Sequence, residues 1–230
     1  ASQLGEFFLP ANTYYEPFVG GGAMMPFAKS RRGKASDIIP ELINLWNEIK
    51  NNPEKVVEEY EVRWNRLQDE GYQVFYEIRD RFNKTKSPFD FLFLTRTCLN
   101  GMIRYNRAGE FNNSLHLTRP GIAPQRLSAI IYQWSTCMKK FNFFNVDYRE
   151  CLEDVKKGDF VFLDPPYGGT KSRYTQTPFS LDEFYHVLDQ LNRKEVNWML
   201  TFDGTSGERN YTFAPPEDLY KSSFKVKTGK

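Results

Sequence analysis

Four consecutive apolar residues, Phe160-Val161-Phe162-Leu163, run straight into Asp164-Pro165-Pro166-Tyr167. A short apolar run bounded by a chain breaker reads as a buried strand. Two successive prolines fix φ, offer no backbone N–H and hold the residue before them extended. The strand therefore has to stop at Asp164, in a stiff turn at its C-terminal end. Open α/β sheets place their ligands outside such ends. The turn carries a carboxylate, a carbonyl with no N–H beside it, and an aromatic face.

That set suits the exocyclic amine of a nucleobase, whose lone pair is delocalised into the ring and attacks poorly. Two acceptors on its hydrogens, the Asp164 carboxylate and the Pro165 carbonyl, draw the nitrogen toward tetrahedral geometry, and Tyr167 offers a face for the base. Taken alone, the four residues suit an ordinary strand-end turn equally well.

The rest of the chain builds an α/β pattern around this strand. Tyr14 to Val19 reads as a strand, Gly20-Gly21-Gly22 as a turn, and Met24 to Lys29 as a helix-like run. This is a nucleotide-binding opening, although Met25 stands where the dinucleotide pattern needs a third glycine; a tight βα loop is the plainer alternative. Lys34 to Ile39 reads as a second strand. Asp37 follows Gly20 by 17 residues, close to where a ribose-binding acid belongs. Phe141 to Val146 forms a strand ending at Asp147. Ser180 and Glu183 make a capping box for a helix over 181–191, followed by a strand from Asn197 to Phe202 that ends at Asp203-Gly204. Phe213 to Lys227 is expected to start an antiparallel edge hairpin.

From about 54 to 140 the alternation is interrupted by helices with apolar stripes, opened by Pro88 and Pro124 and broken at Gly71. Among them lies Leu99 to Asn113, which mixes Gly, Asn, Arg and aromatics with no period. Between Arg96 and Lys140 seven basic residues face one acid, a local charge of +6 in a chain of net charge +2. A local basic stretch is the footprint of a polyanion partner. Asn and Arg also match adenine and guanine edges, although Asn and Gly are equally ordinary loop formers. Three isolated cysteines, Cys98, Cys137 and Cys151, fit a reducing compartment and argue against zinc. No apolar run approaches the ~20 residues of a membrane span, and the N-terminus has no signal-peptide pattern.

Together these stretches resemble the Dam-type DNA adenine-N6 methyltransferases over residues 14 to about 205. Glu16-Pro17-Phe18-Val19-Gly20-Gly21-Gly22 is similar to the family's S-adenosylmethionine loop, Asp37 to its ribose-binding acid, and Asp147 to the acid that holds the cofactor adenine. Asn100-Gly101, Arg104-Tyr105-Asn106 and Gly109-Glu110-Phe111-Asn112 resemble its DNA-reading segment, and Asp164-Pro165-Pro166-Tyr167 its catalytic motif. The resemblance implies a doubly wound, mostly parallel, Rossmann-like methyltransferase sheet of seven strands, one antiparallel, with an inserted helical target-recognition domain. The expected division is 1–53 with 141–230 as the catalytic, cofactor-binding domain and 54–140 as the DNA-binding domain.

The implied cofactor set is Glu16, Pro17, Phe18, Gly20, Gly21, Gly22, Asp37, Ile38, Asp147, Tyr148 and Asp164. The implied DNA set is Arg96, Asn100, Arg104, Tyr105, Asn106, Arg107, Asn112 and Arg119. The implied substrate is a flipped adenine in double-stranded DNA, the cofactor product S-adenosyl-L-homocysteine, and no metal takes part. A cognate restriction endonuclease is an implied partner, a membrane is not, and the expected location is cytoplasmic, nucleoid-associated, bacterial or phage-encoded. Residues 1–13 lack the family's Lys- and Gly-bearing opening, and the family places one more strand after Lys230. Leu99 stands where members reading GATC often carry an aromatic, so GATC does not follow. Two alternatives stay open: an RNA or protein amide methyltransferase, and a DNA-binding module with a degenerate cofactor site.

Overall fold

The computed structural model describes residues 1–119, 121–166, 179–201, 205–206, 209–210, 215–224 and 226. The chain divides into two compact units, Ala1–Ile38 with Lys140–Lys230, and Ile39–Lys139. In chain order the elements are α1 (Ser2–Gly5), β1 (Ala11–Glu16), β2 (Ser30–Ser36), α2 (Pro40–Asn51), α3 (Pro53–Glu70), α4 (Gln73–Thr85), α5 (Pro88–Thr97), α6 (Pro124–Met138), β3 (Phe141–Phe144), α7 (Tyr148–Cys151), β4 (Phe160–Leu163), α8 (Leu181–Arg193), β5 (Asn197–Leu200), β6 (Thr205–Ser206) and β7 (Arg209–Asn210).

The first unit is built on a five-stranded sheet in the order β3-β2-β1-β4-β5, with every neighbouring pair parallel. β4 is buried along its whole length because both of its faces are covered. Phe160 and Phe162 meet the Phe8 ring at 5.0 and 5.5 Å between centroids. On the other face Val161 and Leu163 join Phe184, Val187, Leu188 and Leu191 of α8. Each such buried side chain contributes about 1.5–3 kcal/mol. Gly33 of β2 is required by its neighbour: a Cβ there would lie 2.3 Å from the Phe141 ring. The sheet order places β1 between β2 and β4, so the winding reverses direction at β1–β4. This is the switch point at which such sheets open a crevice at their carboxyl ends.

The sheet is all parallel and five-stranded, so the antiparallel pairing expected within it is absent among the described residues. The only antiparallel strand pair among them is the separate β6–β7 ribbon. No strand occurs among the described residues of 213–227, where 215–224 carry only a single 3-10 turn. The expected strand at Tyr14 to Val19 ends earlier, at Glu16, because Pro17 cannot donate to a ladder. The expected helix from Met24 is one 3-10 turn, Met25–Phe27, which leaves helical geometry at Ala28 (φ −59°, ψ 116°) and enters β2 directly. Asp203-Gly204 lies outside the described residues.

The second unit is helical, α2 to α6, with a long irregular segment between α5 and α6. Proline occupies the first turn of α2, α3, α5 and α6, where its missing N–H has no intrahelical acceptor to lose. Gly71, at φ +89°, ends α3. The apolar stripe of α2, Leu42, Leu45, Trp46 and Ile49, is buried, so the compact unit begins at Ile39. At its centre Asp90 is fully buried and accepts from Arg63 Nε at 2.7 Å and from Arg81 Nε and Nη2 at 2.8 and 2.6 Å.

Candidate active site and recognition loop

The carboxyl ends of β1, β4 and β5 bring together the groups most able to do chemistry in the first unit. In the β4–β5 register Leu163 stands opposite Leu200, which puts Thr201 beside Asp164. The Thr201 hydroxyl donates to Asp164 Oδ1 at 2.6 Å. Asp164 keeps open surface, yet protein surrounds it on most sides. That desolvation pushes its carboxyl above the ordinary range, while the Thr201 hydrogen bond pulls it back down. Pro165 is buried and Pro166 exposed. Tyr167 lies outside the described residues.

At the end of β1, Glu16 is 2% exposed and accepts from the Tyr14 hydroxyl at 2.7 Å. Burial raises its carboxyl to about 8; the Tyr14 hydrogen bond opposes the rise and the negative charge of Asp164 adds to it. Tyr14 is itself held far above its usual value, chiefly by burial. The buried Pro17 accepts from Ser36 Oγ at 3.4 Å. Gly20 and Gly22 adopt positive φ, +45° and +66°, a conformation glycine takes at no steric cost. A Cβ at Gly21 would meet nothing within 4 Å among the described residues. The Gly20 N–H donates to Asp37 Oδ2 at 3.1 Å, which fastens the carboxylate to the glycine loop. The Asp37 backbone is fixed from β3, its N–H by the Phe144 carbonyl and its carbonyl by Asn145 Nδ2. Ile38, beside it, is exposed.

Asp147 caps α7. Its Oδ1 accepts from the Arg149 N–H at 3.0 Å and from Arg149 Nε at 2.7 Å. Tyr148 is buried and stacks on Phe18, with centroids 5.2 Å apart. Its hydroxyl oxygen is buried with no hydrogen-bond partner among the described residues, and burial raises its pKa to about 12. Among the described residues no group of three or more His, Cys, Asp or Glu is arranged to hold a metal ion. No helix among them is long and apolar enough to cross a membrane.

In the helical unit the irregular segment is held by its own side chains. Asn106 Oδ1 accepts from the Ala108 and Glu110 N–H groups at 2.9 and 3.0 Å, and its Nδ2 donates to Glu110 Oε2. Tyr105 donates its hydroxyl to Glu41 and sets its ring edge-on to Phe111. The buried Asn113, absent from the expected set, donates to the Leu99 and Met102 carbonyls at 3.0 and 2.9 Å. Asn100 sits at φ +58° and is exposed. Asn112 donates its N–H to the Arg104 carbonyl, and its Oδ1 is buried without a partner among the described residues. Arg96, Arg104, Arg107 and Arg119 are exposed and make no ion pair among the described residues.

Thr201, Tyr14 and Asn113 escape motif reasoning. A signal existed for Thr201 alone: aligning Phe160–Leu163 with Asn197–Leu200 as parallel neighbours sets it opposite Asp164.

A parallel sheet with a glycine loop and carboxylates gathered at its carboxyl ends defines an α/β enzyme of the cofactor-binding kind. The chain matches the family model described as D12 class N6 adenine-specific DNA methyltransferase over residues 2–227, and it belongs to that family. It is 25% identical over 227 residues to the type II methyltransferase M1.LlaDCHI of Lactococcus lactis subsp. cremoris, an alignment covering 91% of this chain and 76% of that one. It is 29% identical over 208 residues to the type II methyltransferase M.MjaIII of Methanocaldococcus jannaschii, covering 79% and 71%. It is 30% identical over 182 residues to the retron Ec67 DNA adenine methylase of Escherichia coli, covering 76% and 62%. The class of activity is adenine-specific DNA methylation, which sets aside RNA and protein amides as the substrate and implies a methyl donor.

Proposed function

We propose that the first unit transfers the methyl group of S-adenosylmethionine to N6 of an adenine turned out of duplex DNA, leaving S-adenosyl-L-homocysteine. The observation that carries this reading is the meeting of the Asp164 turn and the glycine loop at neighbouring strand ends, β4 and β1, on the switch point of the sheet. The residues fit the cofactor. Among the described residues the Gly21 face is open for a close approach, Asp37 is tied into the loop beside it, and the Tyr148 hydroxyl, buried without a partner, lies in the aromatic cluster with Phe18. When bound, the cofactor supplies an electrophilic methyl on a sulfonium. Carboxylates suit such a cation.

The chain's residues do the rest. Asp164 and the Pro165 carbonyl accept the two N–H bonds of the amine and turn its lone pair toward the methyl group. Holding the two reacting atoms in line supplies much of the acceleration. No strong base is needed, since the nitrogen proton becomes acidic once the nitrogen is alkylated. The adenine has to leave the helix stack because its amine is otherwise paired, and Tyr167 stacks on it. The helical unit, which holds the expected recognition span 54–140 except Lys140, presents to DNA Arg96 at the end of α5 and Asn100, Arg104, Arg107 and Arg119 on the irregular segment, shaped by Tyr105, Asn106 and Asn112. Acting on DNA assigns the protein to the cytoplasm and nucleoid. A restriction endonuclease of the same sequence preference is its proposed partner, a reading supported by relatives named type II methyltransferases.

The test is single-turnover methylation of genomic DNA with position-resolved detection of N6-methyladenine. Asp164→Ala is expected to leave cofactor and DNA binding nearly unchanged and to slow transfer at least ~100-fold, the scale of losing one polar contact made in the transition state. A loss of less than tenfold would remove Asp164 from the chemistry. A binding module with a degenerate cofactor site would give no transfer even in the wild type.

A further inference from the structure

We propose that Thr201 is a positioning residue for methyl transfer: its hydroxyl claims Asp164 Oδ1, so that Oδ2 alone is presented to the adenine amine. The inference rests on the reading of Asp164 as an acceptor for that amine. It comes from a contact between two strand ends that lie 37 residues apart in sequence.

Thr201 Oγ1 lies 2.6 Å from Asp164 Oδ1 and 3.3 Å from the Leu163 carbonyl. A hydroxyl has one proton to give, and the shorter contact is the stronger. The proton therefore goes to the carboxylate. The Thr201 backbone is not free to drift, because its N–H donates to the Leu163 carbonyl at 2.9 Å and prolongs the β4–β5 ladder. A β-branched side chain on a fixed backbone has few rotamers. The hydroxyl is thus aimed by the sheet itself, as a preorganised group should be.

Two consequences follow for Asp164. An ionised carboxylate has two oxygens and rotates about its terminal torsion, so either could meet a substrate. With Oδ1 claimed, the plane of the group and the identity of the free oxygen are both fixed before the adenine arrives. The same bond favours the ionised form, the only form that accepts on both oxygens. If Asp164 took up a proton at low pH, its own O–H would turn to Thr201 Oγ1, and the threonine hydroxyl would donate to the Leu163 carbonyl instead. Both states keep Thr201 satisfied, but only the ionised one gives Oδ2 a share of the negative charge, which makes it the stronger acceptor. The titratable group that feels the Asp164 charge among the described residues is Glu16 at the end of β1, whose carboxyl is held up at about 8 by burial and accepts from the Tyr14 hydroxyl.

The experiment compares Thr201→Val, which keeps the shape and deletes the hydroxyl, with Thr201→Ser, which keeps the hydroxyl. Single-turnover methylation is followed against pH, and the Asp164 carboxyl is titrated separately by carbon-13 NMR in the whole chain. In Thr201→Val, transfer is expected to fall about tenfold, the rate equivalent of one net hydrogen bond, with DNA and cofactor affinities unchanged. The acid limb and the NMR titration should both move to higher pH by about one unit, the size of a typical perturbation. Thr201→Ser should restore both. An unmoved NMR titration, or a loss that serine does not rescue, overturns the proposal. If valine prevents folding, Thr201→Ala against Thr201→Ser makes the same comparison. If the wild type methylates no DNA, the parent reading fails, whereas the NMR titration still decides whether Thr201 governs Asp164.

Discussion

The strand ends of the first unit and the irregular loop of the second hold their functional groups in opposite ways. At the strand ends, hydrogen-bond ladders fix the backbone and each polar side chain is aimed by the sheet: Thr201 on Asp164, Tyr14 on Glu16, the Gly20 N–H on Asp37. In the loop the backbone is held by side chains. Asn106 and Asn113 spend their amides on neighbouring N–H and carbonyl groups, and Tyr105 reaches to Glu41. What remains for a partner is a set of exposed guanidiniums. One region fixes a few groups tightly, as methyl transfer demands, and the other exposes several long cationic arms on a braced frame, as reading a polyanion demands.

The contrast depends on the helical unit being a firm base for its loop, and the largest expected effect tests that. Asp90 is buried between Arg63 and Arg81. Removing one partner of a buried ion pair strands the others, at a cost of about 3–5 kcal/mol. Asp90→Ala should lower unfolding stability by that amount in urea titration. A change under ~1 kcal/mol, the scale of an exposed ion pair, would mean that the network is not what stiffens this unit.

A smaller effect probes the strand ends. Glu16 has a folded pKa of about 8 against 4.5 ordinarily. The native state therefore holds a proton that the unfolded chain has lost between those values. Stability from this group falls as pH rises from about 4.5 to about 8, and below that window the penalty vanishes. Glu16→Gln keeps an acceptor for Tyr14 and has no proton to lose. It should melt like the wild type at pH 4 and be more stable by about 4 kcal/mol at pH 8, on the order of 1.4 kcal/mol per pKa unit. Parallel pH–stability curves for the two proteins would show that Glu16 is ionised in the fold.

The two regions also differed in what the sequence disclosed. Pro165-Pro166 forces a stop after Phe160–Leu163, and proline at helix starts with Gly71 at a helix end punctuates the helical unit, so those boundaries are local facts. Phe18-Val19 looks as strand-like as Tyr14-Tyr15, yet Pro17 ends the ladder before them. The 3-10 turn at Met25–Phe27 replaces a helix that composition alone favours. Thr201 is one threonine among many until the register of two distant strands sets it beside Asp164. In the loop, composition indicated a polyanion footprint but could not separate the residues that brace from those that project. Asn106 and Arg104 look alike as candidate base readers, and only the hydrogen bonds assign Asn106 to the turn.

That difference within the loop gives the finest test. Arg104 is exposed with no ion pair among the described residues, and Glu110, its nearest acidic neighbour in sequence, is engaged by Asn106. A bidentate arginine–guanine contact discriminates by about 1–3 kcal/mol, whereas a phosphate contact weakens all sequences alike. Arg104→Ala should therefore relax the preference at one guanine position of the methylated site and leave the melting temperature alone. Asn106→Ala should do the reverse: loosen the turn by about 1 kcal/mol, the net worth of a hydrogen bond, and lower activity on every sequence without changing the consensus. Arg119→Ala should weaken binding uniformly and reduce its salt dependence, as loss of a phosphate contact does. The measurement is the set of methylated sequence contexts for the three variants at one salt concentration, with a thermal melt of each. If Arg104→Ala lowers activity evenly on all contexts, Arg104 touches the backbone. If Asn106→Ala alters the consensus at unchanged stability, the asparagine reads a base and the division between brace and reader falls.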